Sequence, residues 1–177
     1  MGNVDAKTLL IIALGGIILQ RLGELALSAR NAARVRARGA REAGASHFPF
    51  IVLVHTLFPL SLAAEVLLAG TRPGRLWPLW AGLWLAAQVL RYSAIRALGE
   101  RWNVRILVVP GLAPVRRGPY RVMRHPNYLA VVVELIAASM FFGAWRTAVG
   151  ITVLNALVLR VRIRAEDEAL ARAAGSG

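Results

Sequence analysis

The chain of 177 residues has no cysteine, a single lysine and only nine acidic residues. Without cysteine it has no disulfide framework, no thiolate metal site and no cysteine nucleophile. It also has few polar residues: 57% of the chain is apolar and its mean hydropathy is +0.55, whereas a soluble domain is about 45–50% apolar even with glycine counted. These values exclude a disordered chain and argue against an ordinary soluble globule.

Five apolar stretches predict five membrane-spanning helices. They cover residues 8–27, 50–69, 76–98, 128–145 and 147–159. A spanning helix needs about 20 mostly apolar residues; the first four stretches qualify, and Val161 and Ile163 extend the fifth. Gly143 and Ala144 predict a tight turn that makes the last two helices a hairpin. The first stretch lacks the basic flank and cleavage site of a signal peptide, so we expect it to be retained as a span.

The net charge of +13 is distributed unevenly between the two sides of this arrangement. Sixteen basic residues fall between spans one and two, between spans three and four, or after span five. Only four, Lys7, Arg72, Arg75 and Arg146, fall on the opposite side. The positive-inside rule then places the N-terminus outside and the C-terminus in the cytoplasm of a bacterial cell. We expect membrane lipids, rather than nucleic acid, to be the partners of this charge.

The predicted fold is therefore an all-α integral membrane protein with a single domain, residues 1–177. Three spans make up residues 1–98, and residues 99–177 form a second part with a cytoplasmic loop and a C-terminal cytoplasmic helix. Polar residues within the spans include His55, Glu134 and Asn155. Charges at membrane depth usually face the bundle interior, and Arg21 or Arg91 would neutralise Glu134. Simple helix-to-helix contacts remain the alternative explanation for such residues.

One polar string stands out at the start of the fourth span. It reads Gly118-Pro119-Tyr120-Arg121, then Arg124-His125-Pro126-Asn127-Tyr128. Proline suits the first turn of a helix, where its missing N–H costs nothing. The backbone N–H groups that follow, with two basic side chains, favour a carboxylate or phosphate ligand. A cytoplasmic helix start with interfacial anchors is the alternative.

This string, followed by an apolar span, resembles the isoprenylcysteine carboxyl methyltransferase family of membrane enzymes. The family pattern is RHPxYxG, a helical hairpin and then EExxL; Ala130 replaces its glycine and Asp167 its second glutamate. The resemblance covers residues 102–170 and implies S-adenosylmethionine bound between loop and C-terminal helix, with no metal. The cofactor-binding residues that it implies are Gly118, Tyr120, Arg124, His125, Pro126, Tyr128, Leu129, Arg162 and Glu166.

Residues 102–110, with the HPNYL string, resemble a bacterial branch of this family that O-methylates long-chain alkylpyrones or alkylresorcinols. The resemblance implies a lipophilic small-molecule acceptor, with prenylcysteine as the second choice. In such a reaction Arg105 would hold an anionic oxygen, Glu134 would orient a hydroxyl and His55 is a candidate base. The sequence does not give the oligomeric state.

Three other functions share parts of the pattern. Phospholipid N-methyltransferases have a similar GPYxxxRHPxY string, and NADPH-dependent membrane sterol or enone reductases contain RHPNY. A non-catalytic membrane protein whose polar residues only pack helices is the third alternative. Stabilisation by S-adenosylhomocysteine, but not by NADPH, would identify a methyltransferase.

Overall fold

The computed structural model describes residues 5–174 of the chain and is mostly helical. Its five helices are α1 (Ala6–Ala37), α2 (Phe48–Leu68), α3 (Trp77–Leu98), α4 (Pro126–Phe141) and α5 (Trp145–Ala174). Two three-residue strands, β1 (Arg41–Ala43) and β2 (Ile106–Val108), pair antiparallel. The predicted all-α class is confirmed for the helices, while this small sheet was not predicted.

Two of the described helices are long and apolar enough to cross a membrane. These are α1 and the segment Ala45–Leu68, which includes α2. Helix α4 is apolar but has only 16 residues, about 24 Å at 1.5 Å per residue, against a hydrocarbon core of about 30 Å. The five-span arrangement therefore stays a prediction.

The outer surface of the bundle is nonetheless apolar. Large aliphatic side chains stand exposed along several helices, among them Ile11, Leu19, Leu60, Val89 and Leu157. Soluble monomers rarely expose contiguous apolar surface on this scale. The exposed surface is that of a protein surrounded by lipid.

Helix α5 differs from the prediction because it is one continuous helix of 30 residues. The predicted fifth span and the predicted separate C-terminal helix are its two halves. No glycine or proline interrupts residues 159–166, so nothing in the sequence ends the helix there. The tight turn before it is confirmed at Gly143, whose φ is +68° and whose Cβ, if present, would lie 3.0 Å from the Arg72 carbonyl oxygen.

The apolar core joins α1, α2, α4 and α5. Its buried side chains include Leu10, Phe58, Leu62 and Leu135. At one end of this core the Glu65 carboxylate accepts hydrogen bonds from the backbone N–H groups of Arg146 (3.2 Å) and Thr147 (2.7 Å). These N–H groups belong to the first turn of α5, and N–H groups in a first turn lack intrahelical partners. Glu65 of α2 therefore caps the N-terminus of α5.

The segment 99–125 between α3 and α4, which the sequence predicts as a loop, contains a short strand. Part of it forms β2, which pairs with the α1–α2 connection so that Arg41 faces Val108 and Ala43 faces Ile106. The aliphatic β2 sequence suits a strand, and pairing satisfies backbone groups that a bare loop would leave open. The β1–β2 pairing therefore holds this segment at one end of the helix bundle.

Candidate functional site

A large cavity of about 760 Å³ lies between the α3–α4 connection and the C-terminal half of α5. This volume is within the usual range of about 300–1,000 Å³ for small-molecule sites. Six of the nine residues predicted to bind the cofactor line it: Tyr120, Arg124, His125, Tyr128, Arg162 and Glu166. The structure thus brings the polar string and the C-terminal acidic motif together around one space.

The connection is held in place by α1. The Asn31 side chain donates to the carbonyl oxygens of Trp102 (2.8 Å) and Gly99 (3.2 Å). The hydroxyl of Ser28 accepts a hydrogen bond from the Val104 backbone N–H at 3.0 Å. These two residues of the first helix fix the wall of the cavity, and sequence reasoning did not identify them.

Tyr128 joins the two sides of the cavity. Its hydroxyl donates to the Glu166 carboxylate and accepts a hydrogen bond from Arg162 Nε at 2.8 Å. Arg162 also donates through Nη2 to the Val104 carbonyl oxygen at 2.7 Å. The first turn of α4, the connection and α5 therefore meet in one hydrogen-bonded unit.

His125 lies against the acidic motif of α5. Its ring stacks on Tyr128 with centroids 5.3 Å apart, and its Nε2 lies 3.2 Å from the Asp167 carboxylate. Asp167 is the residue that departs from the family pattern, and here it replaces the missing glutamate as a carboxylate beside the histidine. Its position allows an ion pair when His125 is protonated, although the two atoms are not aligned for a hydrogen bond.

Tyr120 is the other aromatic residue of the string on this cavity. Burial, with a smaller contribution from the charge of Glu166, raises the pKa of its phenol above its ordinary value. The phenol therefore remains protonated at physiological pH and can act as a hydrogen-bond donor.

The remaining three predicted cofactor residues lie beside the cavity rather than on it. Gly118 has φ +56°, and a Cβ there would lie 3.1 Å from the Cβ of Ala97, so glycine lets the string turn against α3. Pro126 is buried at the start of α4, and Leu129 is exposed. Their positions suit a role in shaping the loop.

The structure leaves fewer backbone N–H groups free after Pro126 than the sequence predicts. Those of Tyr128 and Leu129 donate to the His125 carbonyl oxygen, at 3.2 and 3.3 Å. The carbonyl of the residue before a helix normally accepts the first bonds of that helix. Side chains rather than these two N–H groups must supply the donors on this wall.

Arg105 lines the large cavity, but its guanidinium already has a partner. Its Nη1 lies 2.6 Å from the Glu42 carboxylate, and its Cζ lies 4.1 Å from the centre of the Phe48 ring. The hydrogen bond from Arg105 is the main cause that lowers the pKa of Glu42 below its usual value. An acceptor oxygen would have to share this arginine with Glu42.

Glu134 is buried in a charged network below the cavity. Its carboxylate accepts from Arg91 and, at 2.8 Å, from Arg21, while Glu24 pairs with the same two arginines at 3.3 and 2.7 Å. The predicted neutralisation of Glu134 is correct, and both candidate arginines take part. Two positive and two negative charges balance in this network, which lowers the cost of burying each of them.

His55 lies apart from the large cavity and lines a second, smaller one of about 80 Å³. Its Nδ1 is 2.9 Å from the Ile51 carbonyl oxygen. A carbonyl only accepts hydrogen bonds, so Nδ1 carries a proton, and in the neutral imidazole Nε2 then has the lone pair. That lone pair is what a base needs.

Three residues outside the predicted site set line both cavities: Trp102, Asn103 and Asn127. Asn127 lies inside the polar string, so its position was the available signal. Among residues 5–174 no group of three or more histidine or acidic side chains is arranged to hold a metal ion.

A model of the isoprenylcysteine carboxyl methyltransferase family matches residues 80–172 of the chain. The chain is also similar to YpbQ of Bacillus subtilis strain 168, which is described as uncharacterized. The two are 45% identical over 161 residues, covering 91% of this chain and 95% of that protein.

An uncharacterized protein of Haemophilus influenzae is 27% identical over 155 residues, covering 87% of this chain and 90% of its own. No solved structure matches the chain. The family match covers more than half of the chain, including both halves of the cavity wall. The chain therefore belongs to the isoprenylcysteine carboxyl methyltransferase family and is a membrane methyltransferase.

Proposed function

We propose that this protein transfers a methyl group from S-adenosylmethionine to an oxygen atom of a lipophilic, acidic acceptor in the membrane. One observation carries the proposal. The cavity of about 760 Å³ is built from the two motifs of the family, the RHPNY string and the acidic motif of α5. These motifs are far apart in the chain, and a shared ligand would explain why both line one cavity.

The side chains around this cavity fit the parts of S-adenosylmethionine. Glu166 and Asp167 suit an amino group or ribose hydroxyls, and Arg124 and His125 suit a carboxylate. Two buried polar atoms on this wall, His125 Nε2 and Asn127 Oδ1, have no hydrogen-bond partner among the described residues. Buried polar atoms in this state usually meet a ligand or water.

When bound, S-adenosylmethionine supplies a methyl group on a sulfonium that needs no further activation. The protein has to align an acceptor oxygen in line with that group and keep water out. His55 Nε2 is a candidate to accept the proton of a hydroxyl. Arg105 would hold a ring oxygen or carboxylate, and Glu134 would act by keeping Arg21 and Arg91 in place rather than by direct contact.

We propose a long-chain hydroxypyrone or resorcinol as the acceptor, ahead of prenylcysteine. The resemblance of residues 102–110 and Ala130 to the bacterial alkylpyrone branch supports this choice. The apolar outer surface of the helices suits an alkyl tail. Each buried CH₂ contributes about 0.8 kcal/mol, so longer tails should lower KM until the tail extends beyond the apolar helix surface.

The proposed topology has five spans in the bacterial cytoplasmic membrane, with the N-terminus outside. The cavity is lined by Arg101, Arg116, Arg121 and Arg124, and the positive-inside rule assigns such arginines to the cytoplasm. The oligomeric state is left open.

The decisive experiment compares methyl transfer in detergent to an alkylpyrone, a prenylcysteine and phosphatidylethanolamine, with binding of S-adenosylhomocysteine measured in parallel. We expect binding of S-adenosylhomocysteine and transfer to the alkylpyrone. Transfer to phosphatidylethanolamine alone would indicate the N-methyltransferase alternative. Stabilisation by NADPH alone would indicate a reductase, and binding of neither cofactor would indicate a non-catalytic protein.

A further inference from the structure

The small cavity lies within the bundle, directly below the large one. It has a volume of about 80 Å³ and is lined by residues of α1, α2, α3, α4 and α5 and by residues 102–104. Since a water molecule takes about 30 Å³ in the liquid, the space suits a group of a few atoms, and it is smaller than the roughly 150 Å³ of a cavity that admits benzene. It can take the polar end of a ligand but not a whole lipid.

Three hydrogen-bond donors on the residues around this cavity lack partners. They are Arg91 Nε, Trp102 Nε1 and Asn155 Nδ2, and none has a hydrogen-bond partner among residues 5–174. The three residues are only 1%, 3% and 3% exposed. Buried donors without acceptors are rare in native proteins and call for a ligand or an ordered water.

Two of the three arginines that line the cavity are already paired with carboxylates. Arg21 and Arg91 are both paired with Glu24 and Glu134, through their terminal nitrogens. Arg162, the third, donates to two neutral oxygens, the Tyr128 hydroxyl and the Val104 carbonyl, so the lining carries one positive charge that these carboxylates do not offset. The unused donors and this charge suit a carbonyl, hydroxyl or partly charged oxygen. The charge also disfavours an ammonium group, although Asn127 Oδ1 and His55 Nε2 on the same lining are acceptors.

The two cavities are separated by a single layer of side chains. Trp102, Asn127, Tyr128 and Arg162 line both of them. A group held in the small cavity would thus lie next to a cofactor in the large one. His55, whose Nε2 carries a lone pair, lines the same small cavity.

We propose that the small cavity binds the oxygen-bearing head of the methyl acceptor, and that Trp102 and Asn155 select oxygen acceptors over amines by donating hydrogen bonds to it. This proposal rests on the proposed methyltransferase function. It gives Asn155, which lies outside the family's sequence motifs, a role in specificity.

The test uses two variants that remove one donor each with little change in shape, Trp102→Phe and Asn155→Leu. Thr152→Val is the matched control, because Thr152 Oγ1 is also buried without a partner on α5 but does not line the cavity. A neutral hydrogen bond contributes about 0.5–1.5 kcal/mol, so each donor variant should weaken binding of a long-chain hydroxypyrone about 2- to 10-fold. The control should bind it as the natural protein does.

Binding is measured directly in detergent with S-adenosylhomocysteine present, so that it does not depend on turnover. Unchanged S-adenosylhomocysteine affinity in Asn155→Leu, whose residue lines only the small cavity, shows that the fold and the cofactor site survive. For Trp102→Phe, which alters the lining of both cavities, an unchanged Tm shows that the fold survives. The proposal is wrong if neither donor variant weakens hydroxypyrone or prenylcysteine binding, or if the natural protein prefers phosphatidylethanolamine. Failure of the natural protein to bind S-adenosylhomocysteine would instead overturn the methyltransferase function itself.

Discussion

The phenol of Tyr128, in the first turn of α4, donates a hydrogen bond to the carboxylate of Glu166, which lies 38 residues later on α5. The contact exists because the turn at Gly143 reverses the chain. Helix α5 then runs back without a break past the N-terminal end of α4, where Tyr128 lies. One residue of each family motif thus meets the other across a cavity. Both motifs therefore contribute to the same cavity wall.

His125→Ala and Glu166→Ala should each weaken S-adenosylhomocysteine binding by about tenfold or more, since hydrogen bonds to charged groups contribute about 1.5–3 kcal/mol. Titration calorimetry in detergent measures the affinity. Glu168→Ala is the control, because its side chain is 65% exposed, pairs with Arg172 and lies outside the cavity. Equal affinities in the natural protein and in all three variants would refute this placement of the cofactor.

Arg105→Ala should raise KM for the acceptor, while Arg105→Lys keeps the charge but loses the planar fork and should recover only part of the affinity. Glu42→Gln separates two roles of this arginine. If Arg105 binds the acceptor, freeing it from Glu42 leaves KM unchanged or lower. An increase in KM of the same size in Glu42→Gln and Arg105→Ala would mean that the pair only holds the small sheet together.

The Glu42–Arg105 pair should make stability depend on pH in the acid range. The pKa of Glu42 is lowered from 4.5 in the folded protein, so the ionised carboxylate stabilises the fold fully above the unfolded value and this contribution is lost as pH falls through the lowered value. The difference in Tm between the natural protein and Glu42→Gln should be largest near neutral pH. A difference that grew below pH 4 would contradict the assignment.

Glu134→Leu should destabilise the fold by about 3–5 kcal/mol, because removing one partner leaves buried charge uncompensated. Leucine at both Glu134 and Arg91 should recover much of this loss, since it leaves the Arg21–Glu24 pair intact. Unfolding in mixed micelles measures the free energy. Glu168→Leu, on an exposed face, should change it by no more than about 0.5 kcal/mol.

The absence of cysteine makes the topology directly testable. Ala37→Cys, at the exposed end of α1, should be protected from an impermeant thiol reagent in intact cells, and Gly74→Cys, in the exposed α2–α3 connection, should react. Permeabilised cells should label both. Labelling of Ala37→Cys alone in intact cells would reverse the orientation.

The sequence by itself determined the number of helices, the apolar part of each and the family. Helix positions follow from apolar runs ended by glycine, proline and arginine, which are local properties of the chain. The family follows from the RHPNY and EDEAL strings, whose residues are close together in sequence. The neutralisation of Glu134 was also predictable, because a buried carboxylate requires a cation and few arginines lie within the spans.

Only the tertiary structure decided which residues share a site. The β1–β2 pairing, the anchoring of the connection by Asn31 and the Glu42–Arg105 pair all join segments more than 60 residues apart. Such contacts depend on how the helices pack, and no local pattern encodes them. The same holds for the small cavity, where donors from three separate segments lie close together because α3, α5 and the connection converge beside the large cavity.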